Sequence, residues 1–305
     1  MYVCGWDGGG TKTAIRCENA ERREILHCQL GPLTMSGAGL QDMRQVVASA
    51  VTEMSRLPEG LDGCRMLVIG TAGVSNTKSV SQIEKALRDA GYRGPSQIVG
   101  DQVIALEAAI SGPGAILSVG TGSICVGRDL SGQMARCGGY GYLIDDEGGG
   151  YALGRDILAA VVRAEDGRGE PTKLRDFLFE HLGVQSIQGM ITWLYGEETK
   201  KKDIAALAPL LLPALHTGDH AALEIAEKAA VELTQLVTGV FRKLELFEGE
   251  LALMGSIMEH VDIIRNLTEE KCLKTIPGIS VTRPRHSAVE GPVMLAWKSL
   301  MEQTA

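Results

Sequence analysis

The chain has 305 residues, of which 45% are apolar and 22% are charged, and its formal net charge is −8 at pH 7. Because this length exceeds what one hydrophobic core usually serves, it predicts two domains. The negative charge argues against nucleic acid as the main partner, since binding phosphates requires clustered Lys and Arg.

The seven cysteines are scattered and include no C-x-x-C pair. This pattern argues against a disulfide framework or a zinc ribbon and favours a reducing cytosol. Every apolar run is shorter than the ~18 residues that a membrane span needs, and the N-terminus lacks a signal-peptide pattern. We therefore expect a cytoplasmic protein without a membrane partner.

The opening segment predicts a β-hairpin. An apolar run ends at Asp7, and Gly8–Gly10 turn the chain. The β-branched residues Thr11, Thr13 and Ile15 then alternate, which indicates a second strand and not the helix that follows a Walker A loop. Backbone N–H groups in such a turn attract anions, although an ordinary hairpin turn fits the triplet about equally well.

The first half continues with alternating strands and helices. The periodicity predicts a strand over 24–30, a helix over 40–55, a strand over 66–69, a helix over 79–89, a strand over 96–99 and a helix over 103–110. A hairpin followed by strand–helix repeats predicts an α/β fold with a mixed sheet.

From residue 115 a second glycine-turned meander begins, which suggests a structural duplication. Its strands are predicted over 115–119, 123–127 and 133–137. The chain then becomes helical, with predicted helices over 151–165, 172–182, 185–193, 203–215 and 219–244. It closes with a strand over 250–254, a helix over 257–268, a strand over 279–281 and a helix over 288–302.

Three further features could carry chemistry. Asp101 follows a predicted strand and begins a helix, at the sheet edge where ligands bind in open α/β folds. Its carboxylate could accept a proton from a hydroxyl, or it could be a helix N-cap. The turn Ser118–Ser123 is a second glycine and hydroxyl turn, and the glycine-rich segment Cys137–Arg155 carries several carboxylates.

Together and in this order, these segments resemble the sugar-kinase branch of the actin-like ATPase superfamily. Within it they are most similar to the N-acetylglucosamine kinases of the BadF/BadG/BcrA/BcrD ATPase family. The stretches that carry the resemblance are Gly5–Thr13, Val99–Ala108, Ala115–Ser123 and Gly138–Gly154.

The resemblance implies that ATP is bound by two phosphate loops and a late glycine pair. The matching residues are Asp7, Gly8, Gly9, Gly10, Thr11, Lys12, Thr121, Gly122, Gly255 and Ser256. It also implies that Asp7 holds Mg²⁺ through water, because this ion usually keeps several waters.

The resemblance implies that Asp101 is the catalytic base for the 6-hydroxyl of a sugar. The residues implied to bind the sugar are Met35, Ser36, Asp101, Ser123, Gly139, Tyr140, Gly141 and Asp146. Met35 and Ile124 stand where the family has Asn, and Tyr140 stands where it has Trp. The sugar therefore stays open among N-acetylglucosamine, glucosamine, N-acetylmuramic acid and another hexose, as do roles for Asp145 and Glu147.

The implied fold is α/β, with two ribonuclease-H-like domains and a nucleotide cleft between them. We expect one domain over 1–112, closed by the helix 288–305, and a second over 113–287 with a helical insertion. A homodimer is expected by resemblance. One alternative is an activator ATPase that shares a [4Fe–4S] cluster across a dimer, which requires closely spaced cysteines. A nucleotide-dependent binding module is a further alternative.

Overall fold

The structure is a computed structural model that describes residues 1–33, 40–72, 74 and 77–304. Its strands are β1 Tyr2–Gly8, β2 Thr13–Asn19, β3 Glu24–Leu30, β4 Cys64–Thr71, β5 Ser96–Gly100, β6 Gly114–Val119, β7 Ser123–Arg128, β8 Met134–Gly138, β9 Glu248–Met254 and β10 Gly278–Thr282. Its α-helices are α1 Leu40–Ser55, α2 Thr77–Asp89, α3 Asp101–Ala109, α4 Gly150–Glu165, α5 Leu174–Leu182, α6 Ile187–Leu194, α7 Lys201–Ala205, α8 Leu211–His216, α9 His220–Lys243, α10 Ser256–His260, α11 Asp262–Thr275 and α12 Glu290–Thr304.

The chain forms two compact units. Unit 1 consists of Met1–Ser111 and Pro284–Ala305, and unit 2 consists of Gly112–Arg283. Unit 1 is therefore built from both ends of the chain, whereas unit 2 is one continuous segment.

Each unit contains one mixed five-stranded sheet, as the predicted α/β class requires. In unit 1 the order is β3-β2-β1-β4-β5, with β1 antiparallel to β2 and parallel to β4. In unit 2 the order is β10-β9-β6-β7-β8, with β6 antiparallel to β7 and parallel to β9. Both sheets thus have a three-stranded antiparallel meander extended by two parallel strands, which supports the predicted duplication.

The central strand β1 is buried on both faces. Tyr2 and Trp6 pack in a cluster with apolar residues of α1 and α2, while Val3 packs on the other face with residues of α3 and α12. Helix α12 approaches β1 closely, since a Cβ on Gly5 would lie 2.5 Å from the backbone nitrogen of Val293. Gly5 therefore lets the C-terminal helix cover the strand that leads to the first glycine turn.

Two predicted helices are wrong as single elements. The predicted helix 203–215 is divided among α7, a 3₁₀ turn at Ala208–Leu210 and α8. Pro209 explains the break, because it cannot donate the hydrogen bond that would continue α7. The predicted helix 257–268 is interrupted at Val261, whose backbone is not helical (φ −118°, ψ 76°) and whose side chain is fully buried.

The long helix α9 follows its prediction closely. Asp219 is its N-cap, and the Asp219 side chain accepts a hydrogen bond from the N–H of Ala222. The apolar stripe of α9 packs into the unit 2 core, as expected for an amphipathic helix. Within the described residues, no helix combines the length and apolar character needed to cross a membrane.

Candidate functional site

The candidate site of unit 1 lies where three parallel strands end. Asp7 is the second-to-last residue of β1, and Asp101 directly follows β5 as the first residue of α3. Strand β4 lies between β1 and β5, and all three strands run parallel. The carboxyl ends of parallel strands share one edge, so the fold brings the two carboxylates to the same edge of the sheet.

The two carboxylates influence each other electrostatically. Burial raises the pKa of Asp7 above its ordinary value, and the negative charge of Asp101 raises this pKa further, while Lys12 opposes the shift. The ionised form of Asp7 is therefore less favourable than that of an exposed aspartate, and a cation nearby would stabilise it.

Asp101 is not a helix N-cap. Gly100 holds the N-cap position of α3, and one carboxylate oxygen of Asp101 accepts a hydrogen bond of 2.9 Å from the N–H of Gln102. This bond fixes the orientation of the carboxylate, and its second oxygen has no partner among the described residues. The N-cap alternative is therefore wrong, and the proton-acceptor alternative stays open.

The first glycine turn is held by its own backbone. The N–H of Gly9 donates to the carbonyl of Lys12 at 2.9 Å, and the carbonyl of Gly9 accepts from the N–H of Leu33 at 3.3 Å. A Cβ on Gly8 would lie 2.8 Å from Leu33 Cδ2, whereas a Cβ on Gly10 would have no atom of a described residue within 4 Å.

None of the three glycines Gly8–Gly10 has a positive φ, contrary to the usual reason for glycine in a turn. Gly8 provides room for Leu33, and Gly10 leaves open space in front of the backbone. Thr11 and Lys12 are exposed beside that space, so the turn can receive an anion from outside.

The candidate site of unit 2 lies at the matching edge of the second sheet. The turn Gly120–Gly122 follows β6, and Gly255-Ser256 follows the neighbouring parallel strand β9. Gly255 has φ 98°, and a Cβ there would lie 2.5 Å from the carbonyl oxygen of Val119. Only glycine fits this position, because both the left-handed backbone and the close approach exclude a side chain.

These two segments share a pocket of about 240 Å³. It brings together Thr121 and Ser256, two of the residues predicted to bind the nucleotide. The residues that line it are Gly120, Thr121, Gly150, Lys202, Ala205, Ala206, Pro209, Ser256, Ile257, His260 and Val261. The turn is fixed against the start of α4, because the N–H of Gly150 donates to the carbonyl of Gly120 at 2.8 Å.

The glycine-rich segment folds back onto the same turn. Asp146 adopts a left-handed backbone with φ 66°, and only 6% of its surface is exposed. A Cβ on Gly122 would lie 2.2 Å from Asp146 Oδ2, so glycine at 122 makes room for this carboxylate. The hydroxyl of Ser123 donates to the carbonyl of Glu147 at 2.7 Å. The predicted residues Gly122, Ser123 and Asp146 are thus adjacent.

The remaining polar groups of this segment maintain its shape. Asp145 accepts a hydrogen bond of 3.0 Å from the N–H of Tyr140. Glu147 forms a bidentate pair with Arg155, at 3.0 and 2.8 Å, and this pairing raises the pKa of Arg155. Asp145 and Glu147 therefore support the loop through these hydrogen bonds.

The predicted residues at the other end of the segment are accessible. Tyr140 is 63% exposed, with the Arg136 guanidinium 4.5 Å from the centre of its ring. A Cβ on Gly139 would lie 2.7 Å from Ile124 Cδ1, so Ile124 supports the backbone of the loop. The N–H of Gly141 points to Asp146 Oδ1 at 3.4 Å. Met35 and Ser36 lie outside the described residues.

Helix α7 contributes side chains that no sequence motif predicted. It supplies Lys201, whose ammonium lies 3.4 Å from Asp146 Oδ2, and Lys202 and Ala205, which line the pocket. No local signal could have indicated this, because Lys201 is 55 positions from Asp146 in the chain. The lysine run alone indicates a solvated helix start.

The residues that could hold a metal ion are few. Among the described residues, no group of three or more His, Cys, Asp or Glu side chains is placed to ligate a metal. Asp7 and Asp101 are hard oxygen donors, and a divalent cation would relieve the unfavourable charge of Asp7. This donor set fits an ion such as Mg²⁺ that retains most of its water.

The chain is similar to known proteins over nearly its whole length. The sequence model of the BadF/BadG/BcrA/BcrD ATPase family matches residues 4–296. An N-acetylmuramic acid/N-acetylglucosamine kinase of Clostridium acetobutylicum is 31% identical, over 97% of this chain and 98% of the relative. An N-acetyl-D-glucosamine kinase of Dictyostelium discoideum is 26% identical, over 97% of both chains.

A solved structure supports the fold. It is that of a candidate N-acetylglucosamine kinase from Chromobacterium violaceum, with a TM-score of 0.72, 24% identity and coverage of 97% of this chain and 98% of the other. This similarity confirms the predicted fold class, since it extends over both units.

Proposed function

The chain belongs to the BadF/BadG/BcrA/BcrD ATPase family, and we propose that it transfers the γ-phosphoryl group of ATP to the 6-hydroxyl of an amino sugar. The observation that carries this proposal is the pair of carboxylates at one sheet edge of unit 1, Asp7 and Asp101, which interact electrostatically. The curated relatives make N-acetylglucosamine and N-acetylmuramic acid the first acceptors to test.

Asp101 would be the catalytic base. The hydroxyl oxygen attacks the γ-phosphorus, the bond from this phosphorus to the ADP oxygen breaks, and Asp101 accepts the hydroxyl proton. Its position supports this role, because one oxygen is held by Gln102 and the second is open to a hydroxyl. A base here could deprotonate either a sugar hydroxyl or water, so the dependence of ADP formation on sugar distinguishes a kinase from an ATPase.

Asp7 would hold Mg²⁺ through the water shell of the ion. When bound, the ion supplies positive charge to the phosphate oxygens, which is the main requirement of phosphoryl transfer. The turn residues Gly8–Gly10, Thr11 and Lys12 would bind the phosphates, and the open space at Gly10 supports this assignment.

Unit 2 would supply the remaining contacts. Thr121, Gly122, Gly255 and Ser256 would bind the nucleotide, because they surround or adjoin the pocket of about 240 Å³. The volume of this pocket is suited to part of a nucleotide, not to a whole one.

The sugar would be bound by the glycine-rich segment and the end of the second turn. Asp146 supports this assignment best, because its buried carboxylate has two contacts at 3.4 Å and retains capacity for hydroxyl donors. Ser123, Gly139, Tyr140 and Gly141 would complete the contacts, and Met35 and Ser36 stay proposals from the sequence alone. A homodimer and a cytoplasmic location also stay proposals.

The decisive experiment measures ADP production with and without added sugar. We expect ADP formation to depend on an amino sugar, and Asp101→Asn to reduce kcat by about 10³-fold while ATP binding persists. Asp89→Asn is the matched control, because Asp89 is an exposed aspartate of the same unit, paired with Lys85. Sugar-independent hydrolysis that Asp101→Asn leaves unchanged would contradict the proposal.

A further inference from the structure

We propose that Lys201 is a positioning residue for the sugar acceptor, which holds the Asp146 carboxylate in the orientation that accepts sugar hydroxyls. This inference rests on the proposed function, which assigns Asp146 to the sugar.

The contact itself joins an accessible cation to a buried carboxylate. The Lys201 ammonium lies 3.4 Å from Asp146 Oδ2, with side-chain exposures of 34% and 8%, respectively. The same ammonium lies 4.9 Å from the centre of the Tyr142 ring. Tyr142 belongs to the glycine-rich segment, so Lys201 contacts this segment at two points.

Because Asp146 is buried, we expect the loss of this ion pair to have a larger effect than the loss of a surface ion pair. Exposed Lys–Asp pairs contribute little, because water screens them and ordering two side chains costs entropy. A buried carboxylate that loses its cation, in contrast, is left with an uncompensated charge. Among the described residues, the other polar partner of this carboxylate is the N–H of Gly141, at 3.4 Å.

The carboxylate also has limited freedom to choose another orientation. Its Oδ2 and Cγ lie where a side chain on Gly122 would be, with Oδ2 at 2.2 Å from that Cβ position. Lys201 contacts this same oxygen, whereas Gly141 contacts the other one. The two contacts together therefore hold both oxygens, and removing the ammonium leaves Oδ2 without its cation.

The backbone of α7 places Lys201 accurately. A Cβ on Gly154 would lie 1.9 Å from the carbonyl oxygen of Ile204, so α7 lies directly on α4 without a side chain between them. A Cβ on Gly150 would lie 3.2 Å from Ala205 Cβ. Helix α4 begins within the glycine-rich segment, four residues after Asp146, so α7 with Lys201 packs on the element next to Asp146.

The same end of α7 serves the nucleotide pocket. Lys202 lines that pocket, while its neighbour Lys201 contacts Asp146. The two adjacent lysines thus have different assignments, and a substitution at 201 tests the sugar contact without removing the residue that lines the nucleotide pocket.

The test compares steady-state kinetics of Lys201→Met with those of the wild-type protein, with N-acetylglucosamine as the sugar. Met keeps the aliphatic stem and removes the charge. We expect KM for the sugar to rise about tenfold, because a hydrogen bond to a charged group is lost, while KM for ATP stays unchanged. The buried Asp146 carboxylate left without its cation should also lower the melting temperature. Lys201→Arg should restore most of the sugar affinity.

Lys200→Met is the matched control, because Lys200 is exposed and directly precedes Lys201. The backbone N–H of Lys200 donates a hydrogen bond to the Asp203 side chain, and the substitution leaves this backbone contact in place. We expect its KM values to match those of the wild type. A purely structural role for Lys201 would change KM for ATP together with KM for the sugar, and this result would overturn the inference.

A double-mutant cycle separates this inference from the proposed function. If Lys201 acts through Asp146, then Lys201→Met should have no further effect in an Asp146→Asn background. If KM for the sugar rises with Asp146→Asn but not with Lys201→Met, the role of Lys201 is refuted while the sugar assignment of Asp146 stands. An unchanged KM with Asp146→Asn refutes the sugar assignment of Asp146, and wild-type ADP production independent of sugar refutes the proposed function.

Discussion

Asp7 shows at the scale of one residue how a site can reduce stability. Its pKa is raised above the ordinary aspartate value of 3.8 by burial and by the charge of Asp101. The folded state therefore binds this proton more tightly than the unfolded state. The stability that the protonated carboxyl contributes is complete below pH 3.8 and is lost as the pH rises through the raised pKa of the folded state.

From this sign we predict that Asp7→Asn stabilises the protein at neutral pH. The amide cannot ionise, so we expect a rise in melting temperature of roughly 2 °C at pH 7, which shrinks as the pH is lowered toward 4. Thermal unfolding followed by circular dichroism measures this effect. If Asp7 also holds Mg²⁺, the same variant should lose at least about 100-fold in kcat.

Asp89→Asn is the control for this pH effect. Asp89 is exposed, and its hydrogen bond with Lys85 lowers its pKa, so its substitution should not stabilise the protein. A melting temperature of Asp7→Asn equal to or below that of the wild type at pH 7 would show that the charge of Asp7 carries no cost.

At the scale of elements, the glycines of the β1–β2 turn fall into two kinds, those that the fold requires and those that a bound ligand would explain. Gly8 is required by the fold, because a Cβ there would collide with Leu33, whereas Gly10 faces open space with an ordinary φ. Among the residues of unit 1 that the structure describes, no packing contact explains glycine at position 10. A ligand that approaches the backbone at this position would explain it.

We therefore predict opposite effects of Gly10→Ala on stability and on ATP use. Alanine at a compatible position reduces the entropy of the unfolded chain, so the free energy of unfolding should stay constant or rise by about 0.5 kcal/mol. KM for ATP should rise about tenfold, because the added methyl group occupies the approach of the phosphates. Urea unfolding and initial-rate kinetics on the same variant measure the two effects.

Gly8→Ala provides the comparison for that prediction. Its Cβ would lie 2.8 Å from Leu33 Cδ2, so overpacking should destabilise this variant by about 1–3 kcal/mol. A loss of stability in Gly10→Ala similar to that of Gly8→Ala would mean that the space at position 10 serves the fold.

At the scale of the whole molecule, the two units differ in how the chain builds them. Unit 2 is continuous and has its own apolar core, whereas unit 1 needs α12 from the C-terminus. In unit 1, Val293 and Trp297 of α12 cover Val3 and Val68 of the sheet. Burying each large apolar side chain contributes about 1.5–3 kcal/mol, and the net stability of a domain is only about 5–15 kcal/mol.

We predict that Gly112–Arg283 folds alone and that Met1–Ser111 does not. The first fragment should unfold cooperatively on heating, whereas the second should lack a cooperative transition. Joining Met1–Ser111 to Pro284–Ala305 by a short linker should restore folding, because the N–H of Arg285 donates to the carbonyl of Ala109 at 3.2 Å and the two ends lie close. Cooperative unfolding of Met1–Ser111 by itself would contradict this prediction.

Much of the secondary structure could be predicted from local patterns. Strand β3 and helix α1 have the predicted bounds, because the apolar periodicity of each segment matches the face that it buries in unit 1. The prediction of a single helix over 203–215 was wrong although Pro209 is part of the sequence, because the apolar periodicity continues on both sides of this proline. No local pattern indicated the interruption at Val261, where the backbone leaves the helical conformation and the side chain is buried in the core of unit 2.

The sequence by itself determined the turns, the order of the strands along the chain and the candidate carboxylates, because these depend on residue types at short spacing. Only the tertiary structure decided which of these groups act together. Asp7 and Asp101 interact because two parallel strands end at one edge, and Lys201 contacts Asp146 because two glycines of α4 admit α7. Contacts between residues distant in the chain depend on how the elements pack, and local patterns in a single sequence do not specify this packing.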